Sequence, residues 1–377
     1  MINIRFRALL LVAAIYHTPA MIKGECDIPS VTTTSGTHHV TKTKLCPNDL
    51  IFEDDFKLFD LSKWQHEITL AGGGNGEFQY YLNNRSNSYV ENRQLHIRPT
   101  FLSDDYGEEF LHSGILDLGT QCTNNHSYGC RRVGSTKHIL NPIKSARIRT
   151  IESFSFKYGT VVVRAKLPSG DWLWPAIWLL PTDSVYGNHP VSGEIDLLEG
   201  RGNANFFTPD GINMGTQQVE STLHWGTNYA TNQYYRTHFT KHNVTGYDRD
   251  FHVFKLVWNP DRLEFWVDDE EIGRVTPPGG GFYEFAKFAG SGWENPWVNG
   301  TKMAPFDEKF HIIINLAIGG VGYFPDGNVN PGGKPWNNTS PSAMAEFWEG
   351  REQWENSWKL GTNESHFVID YIKIYAI

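Results

Sequence analysis

The chain has 377 residues, with 42 acidic side chains against 33 basic ones and a formal net charge of −9. This balance excludes the electrostatic attraction that draws proteins to nucleic acid or anionic membrane surfaces, and it suits a neutral ligand. No segment approaches the ~18 uninterrupted apolar residues of a membrane-crossing helix.

The first segment is itself informative. Arg5 and Arg7 precede an apolar run from Ala8 to Tyr16, and the small residues Thr18 and Ala20 follow at a spacing suited to cleavage, so residues 1–20 read as a signal peptide and the mature chain as secreted. The four cysteines agree with an oxidising destination. They fall into two close pairs, Cys26 with Cys46 and Cys122 with Cys130, although spacing alone leaves three connectivities open. No Cys-x-x-Cys spacing favours zinc, and no metal centre is expected. Export also makes the Asn-x-Ser/Thr triplets at Asn84, Asn125, Asn243, Asn299, Asn337, Asn338 and Asn363 available for glycosylation.

Residues 21–50 are polar and Thr-rich and read as an N-terminal extension. From Leu50-Ile-Phe-Glu-Asp-Asp-Phe onward, short alternating or apolar runs recur between Gly, Pro, Asn and Asp clusters: 158–167, 174–180, 194–199, 251–258, 263–267, 310–318 and 367–377. The runs 251–258 and 263–267 flank Asn259-Pro-Asp-Arg, which predicts a hairpin. Trp258 and Trp266 on this hairpin are expected in the core. Only 340–359, with Pro341 near its start, offers a helix of any length, and Gly279–Gly281 reads as a connection. Many strands and few helices predict an all-β sandwich of two antiparallel sheets, with residues 51–377 forming one domain.

One segment carries chemistry. Ser192-Gly-Glu-Ile-Asp-Leu-Leu-Glu-Gly-Arg201 holds three carboxylates in six positions, a length suited to a strand. A period of two puts Glu194 and Asp196 on one face and Ile195 and Leu197 on the other. Glu199 returns to the carboxylate face only if a β-bulge lies at Leu197 or Leu198. Three acids on one face repel, and the repulsion holds one protonated beside an ionised partner. That division is what retaining glycoside hydrolysis requires, with one carboxylate as nucleophile and the other as acid/base. The motif alone is also compatible with a solvated acidic strand or a divalent-cation site.

Three ordered motifs, Trp174-Pro-Ala-Ile-Trp-Leu-Leu-Pro181, Gly193-Glu-Ile-Asp-Leu-Leu-Glu-Gly200 and Thr222-Leu-His-Trp-Gly226, resemble the laminarinase branch of glycoside hydrolase family 16. Gly72-Gly-Gly-Asn-Gly-Glu-Phe-Gln-Tyr-Tyr81, Ser145–Thr150, Asn315–Gly320 and Ile369–Ile374 extend the likeness over nearly everything after residue 50. The chain resembles invertebrate β-1,3-glucanases and β-1,3-glucan-recognition proteins. The resemblance implies a concanavalin A-like β-jelly-roll with an open substrate cleft, Glu194 as nucleophile, Glu199 as acid/base and Asp196 between them. It further implies sugar contacts from Trp174, Trp178, His224, Trp225, Asn87 and Arg147. No cofactor is required for catalysis, and a structural calcium ion near Glu53 and Asp370 is implied by likeness only.

The expected partner is therefore β-1,3-glucan and the expected activity a retaining endo-1,3-β-glucanase, acting as a monomer. The alternative is a recognition protein on the same sandwich that binds glucan without cleaving it. Recognition homologues usually replace the catalytic glutamates and carry a further glucan-binding domain, whereas this chain keeps all three acids.

Overall fold

The computed structural model describes residues 26–42 and 44–377; the expected signal peptide lies outside the described residues. Two large sheets face each other. One has nine strands, running in the order Thr33–Ser35, Ser155–Lys157, Phe310–Ile318, Leu173–Pro181, Glu194–Gly200, Gln218–His224 and His238–His242, with Arg147–Arg149 and then Gln65–His66 joined to Phe310–Ile318. The other has eight, from Glu270–Val275 through Leu263–Val267, His252–Trp258, Gly159–Lys166, Phe367–Tyr375 and Gln94–Ile97 to Ser88–Glu91, with Leu50–Asp54 beside Phe367–Tyr375.

Alternation explains how the sheets meet. In Gly159–Lys166 every second residue is buried, so Val161, Val163 and Ala165 face inward. Phe254, Leu256 and Trp258 do the same on the adjoining strand. Each valine, leucine or phenylalanine among them contributes about 1.5–3 kcal/mol on burial. From the nine-stranded sheet, Ile148, Ile177, Leu179, Ile195, Leu223, Ile312 and Ile314 complete the same core. All nine residues of Phe310–Ile318 are buried, because this strand is central and its outer face is covered as well.

The predicted hairpin forms, with Trp258 opposite Leu263 and Trp258 fully buried. Trp266 departs from expectation. It faces outward, half-buried beneath the Lys255 ammonium 4.4 Å from its ring, while Phe265 and Val267 take the inward positions. The stretch 340–359 does not form one helix either: Ala343–Glu349 is α-helical, Gly350 ends it, and two 3-10 turns follow at Arg351–Gln353 and Glu355–Trp358. Gly279–Gly281 leads into a short helix, Gly281–Phe285.

The N-terminal extension is stitched to the sandwich. Thr33–Ser35 pairs with Ser155–Lys157, the Ser30 hydroxyl donates to the Ile377 carbonyl, and the Ile377 amide donates to Thr32. Disulfides join Cys26 to Cys46 and Cys122 to Cys130. Two small sheets, one of three strands around Ile143–Ser145 and one hairpin of Ile115–Asp117 with Arg131–Val133, complete the strand set.

Candidate active site

The strand Glu194–Gly200 lies between Leu173–Pro181 and Gln218–His224, and it carries the expected bulge. Ile177 is opposite Leu198 while Trp178 is opposite Asp196, so Leu197 is the extra residue. The other neighbour shows the same slip, with Asp196 opposite Thr222 and Glu199 opposite Glu220. Leu197 and Leu198 are both buried, and the acids share the outer face. Gly193 enters the strand at φ 82°, and a Cβ there would meet the Phe306 ring at 2.9 Å. Glycine fits where another residue would push the strand off its neighbour.

Glu194 is surrounded by imidazoles. Nδ1 of His189 donates to its Oε2 at 3.1 Å, and His224 is directly opposite on the next strand. Burial alone would raise the Glu194 pKa, but the His189 hydrogen bond and the fields of His224 and His189 hold it below the ordinary carboxylate range. Its side chain remains 18% exposed, open to a ligand.

Asp196 is pushed well above its usual range by burial and then by the charges of Glu194 and Glu199. It is therefore the protonated partner of the hydrogen bond it shares with Glu194. Glu199 is raised to about 8, first by burial and next by Glu220, against the opposing pull of the Trp174 indole N–H, which donates to its Oε1 at 2.9 Å.

Across the sheet floor, strand register aligns Arg147, Asn315, Ala176, Glu199 and Glu220 in one row. Trp178, two residues from Ala176, presents its ring on the same face; its indole N–H donates to Asn315 and the Arg147 guanidinium lies 4.6 Å over it. Asn315 in turn donates to the Tyr81 hydroxyl, and Arg147 pairs with Glu67 at 3.0 Å. The result is a row of aromatic faces and polar groups, the combination that pyranose rings require.

Residues 120–287 match the family described as Glycosyl hydrolases family 16. A β-1,3-glucan-binding protein of Penaeus monodon is 48% identical over 87% of this chain and 90% of its own length. The chain belongs to glycosyl hydrolases family 16. A β-1,3-glucan-binding protein of Galleria mellonella is 38% identical over 88% of this chain, which spans 65% of that protein's length. Among solved structures, the Rhodothermus marinus laminarinase superposes with a TM-score of 0.55 at 25% identity, covering 87% of this chain and 97% of that one. The family's jelly-roll fold is thus the fold of this chain.

Two residues expected at the family's sugar site lie elsewhere. Trp225 is fully buried: His224 takes the outward position at the strand end, so its neighbour turns inward against Phe282, Phe285 and Trp297 and donates its indole N–H to Thr237. Asn87 is also 0% exposed, its amide donating to Arg98, Thr100 and Lys144 and tying strands together. The structure brings Trp174, Trp178, His224 and Arg147 together with the three acids, and leaves Trp225 and Asn87 out.

Two groups of residues come into question as metal ligands. Glu194, Asp196 and His224 offer ligand atoms within 4.8 Å of one another. Asn232 Oδ1 accepts from the backbone amides of Trp225 and Tyr234, so its Nδ2 donates to His224 Nδ1 at 2.9 Å. The imidazole proton then sits on Nε2, pointing at Asp196 Oδ2 3.4 Å away, where a metal would need a lone pair. With no lone pair on Nε2, His224 cannot complete a three-ligand set with Glu194 and Asp196, and the cluster does not fit a cation. At the implied calcium position, the Glu53 carboxylate pairs with Lys373 at 3.2 Å and that of Asp370 with Arg164 at 2.6 Å; the likeness implies ligation largely through backbone oxygens, on which these side-chain pairs do not bear.

Sequence reasoning missed five residues around the acids. His189 comes from an irregular loop. Glu220, fully enclosed, pairs with Arg201 at 2.7 Å; Arg201 lies 3.8 Å over the Tyr323 ring, which stacks on Trp174 at 3.9 Å and donates its hydroxyl to Glu220. Glu77, buried beneath Gly73, is raised to about 7 by burial, and a Cβ at Gly73 would stand 2.2 Å from its Oε1. Glu220 alone had a readable signal: it sits four residues before His224, on the same face of a strand.

Proposed function

We propose that this chain is a secreted, monomeric endo-1,3-β-glucanase that hydrolyses β-1,3-glucan with retention of anomeric configuration. The observation that carries the reading is the opposite environment of two carboxylates on one strand: Glu194 is held ionised by imidazoles, and Glu199 is held protonated by burial and Glu220. In the first step Glu194 attacks the anomeric carbon, the glycosidic C–O bond breaks, and Glu199 gives its proton to the leaving oxygen. In the second, Glu199 takes a proton from water as that water attacks the anomeric carbon and releases Glu194. Carboxylates supply both steps, and no cofactor is needed. Trp178 offers a partly exposed ring, Trp174 holds Glu199 through its indole N–H, Arg147 and His224 offer donors, and Asp196 keeps its proton on the side of Glu194. The two disulfides support an extracellular destination.

A second reading, glucan recognition without cleavage, is favoured by the names of the Penaeus and Galleria relatives. Incubation with laminarin, scored for reducing ends, separates the two. The wild-type chain is expected to release oligosaccharides, and Glu194→Gln and Glu199→Gln to fold and lose at least ~100-fold in rate. Wild-type protein that binds laminarin but releases no ends would establish the recognition reading. Full activity in either variant would remove the assigned roles.

A further inference from the structure

The loop that follows His224 presents side chains that the cleavage chemistry does not use. Tyr234 and Tyr235 are 47% and 60% exposed, although each is large enough to be worth burying. Neither hangs loose. The loop is tied by Gln233, whose amide donates to the Trp225 carbonyl and whose side chain accepts from the Tyr235 hydroxyl at 2.9 Å. Asn228 and Thr231 close its first turn with reciprocal hydrogen bonds. Two rings are thus held out to solvent by a braced segment, which removes much of the ordering entropy a ligand would otherwise face.

Their position gives this a direction. His189, which touches the nucleophile, has its ring centroid 5.6 Å from that of His224; His224 stacks on Tyr234 at 5.3 Å with 22° between planes; Tyr234 meets Tyr235 at 6.2 Å and 84°. Four rings therefore run without a gap from Glu194 outward to solvent.

We infer that a β-1,3-glucan chain leaves the site past Glu194 along the edge of this run of rings, with Tyr235 as its outermost stacking contact. The inference rests on the proposal that the ligand is glucan, though not on cleavage. It adds a sugar-binding position beyond the catalytic carboxylates and implies that affinity rises with chain length until Tyr235 is reached.

Calorimetric titration of full-length Glu199→Gln protein with laminaribiose and laminariheptaose provides the test, with Tyr235→Ala, Tyr235→Phe and Tyr234→Phe added singly to that background. Tyr235→Ala is expected to weaken laminariheptaose about five- to ten-fold, the scale of one aromatic contact, and to leave laminaribiose within two-fold. Both phenylalanine variants keep the ring and should bind as the parent does. Unchanged heptaose affinity in Tyr235→Ala, or an equal loss for both sugars, overturns this path while leaving the glucan reading intact. A parent that binds neither sugar overturns both.

Discussion

At one end of the acidic strand the neighbours of Glu194 are imidazoles, His189 at 3.1 Å and His224 directly opposite; at the other end Glu199 faces a second carboxylate, Glu220, an indole and a buried arginine. The two glutamates have the same chemistry and share a face, yet one is driven below the usual carboxylate range and the other up to about 8. Burial acts on both in the same direction. What separates them is the neighbours each one meets, the His189 hydrogen bond and then His224 for Glu194 and Glu220 for Glu199, so the loop that carries His189 and the pairing of Glu194–Gly200 with Gln218–His224 together distribute the protons.

The largest break in that contrast is expected from Glu220→Gln. Arg201 then keeps its charge without its partner in a buried setting, and loss of one member of such a pair destabilises by about 3–5 kcal/mol. Glu199 simultaneously loses the like charge that, after burial, contributes most to its raised pKa. The alkaline limb of the pH–rate profile should move toward acid, making the Glu199 end resemble the Glu194 end. Urea denaturation and a profile between pH 5 and 9 read the two effects. A destabilised variant whose alkaline limb stays in place would remove Glu220 from proton control.

Glu199 also ties stability to pH. Its folded pKa, about 8, stands above the ordinary 4.5, so the folded chain binds more protons than the unfolded one between those values. The associated stability is complete below about 4.5 and is lost as pH rises through 8. Wild-type protein should therefore weaken relative to Glu199→Gln by up to a few kcal/mol between pH 5 and 9. Parallel thermal melts of the two proteins across that range would leave no role for Glu199 if their difference stayed flat.

How much of this could be read in advance follows from where each side chain originates. Residues on regular strands were legible: alternation gave the 251–258 and 263–267 hairpin, and the count of residues between Glu194 and Glu199 required the bulge found at Leu197. Trp225 was misread because a motif was followed where strand period would have turned it inward. Trp266 was misplaced because its apolar character was weighed above alternation, which turns Leu263, Phe265 and Val267 inward and leaves this ring outside under Lys255. Gln218–His224 went unrecognised as a strand because its buried residues include Gln218, Glu220, Ser221 and Thr222, polar groups satisfied by one another and by Arg201 and the Leu197 carbonyl. Arg201 with Tyr323, more than a hundred positions apart, could be joined only by the fold.

His189 tests the other end of the contrast with the smallest expected effect. Its own pKa reflects two opposed influences: burial favours the neutral ring, while the hydrogen bond and charge of Glu194 favour the cation and prevail. The titratable groups facing it are the Glu194 carboxylate and, 5.6 Å away between ring centroids, the His224 imidazole, whose pKa burial depresses. Replacing His189 by alanine leaves His224 and the proton of Asp196 in place, so Glu194 loses one hydrogen bond and one positive neighbour but keeps the rest. Its pKa should rise toward 4.5, and the acid limb of the pH–rate profile should follow it upward while the alkaline limb, governed by Glu199, stays where it was. At pH 4 the rate is expected to fall several-fold and at pH 7 by much less, because the shift protonates Glu194 only near and below its ordinary pKa. Asparagine at this position restores a donor without a titrating ring and should recover part of the rate at neutral pH. An equal loss at every pH would mean that His189 holds the loop in shape and has no part in keeping Glu194 ionised.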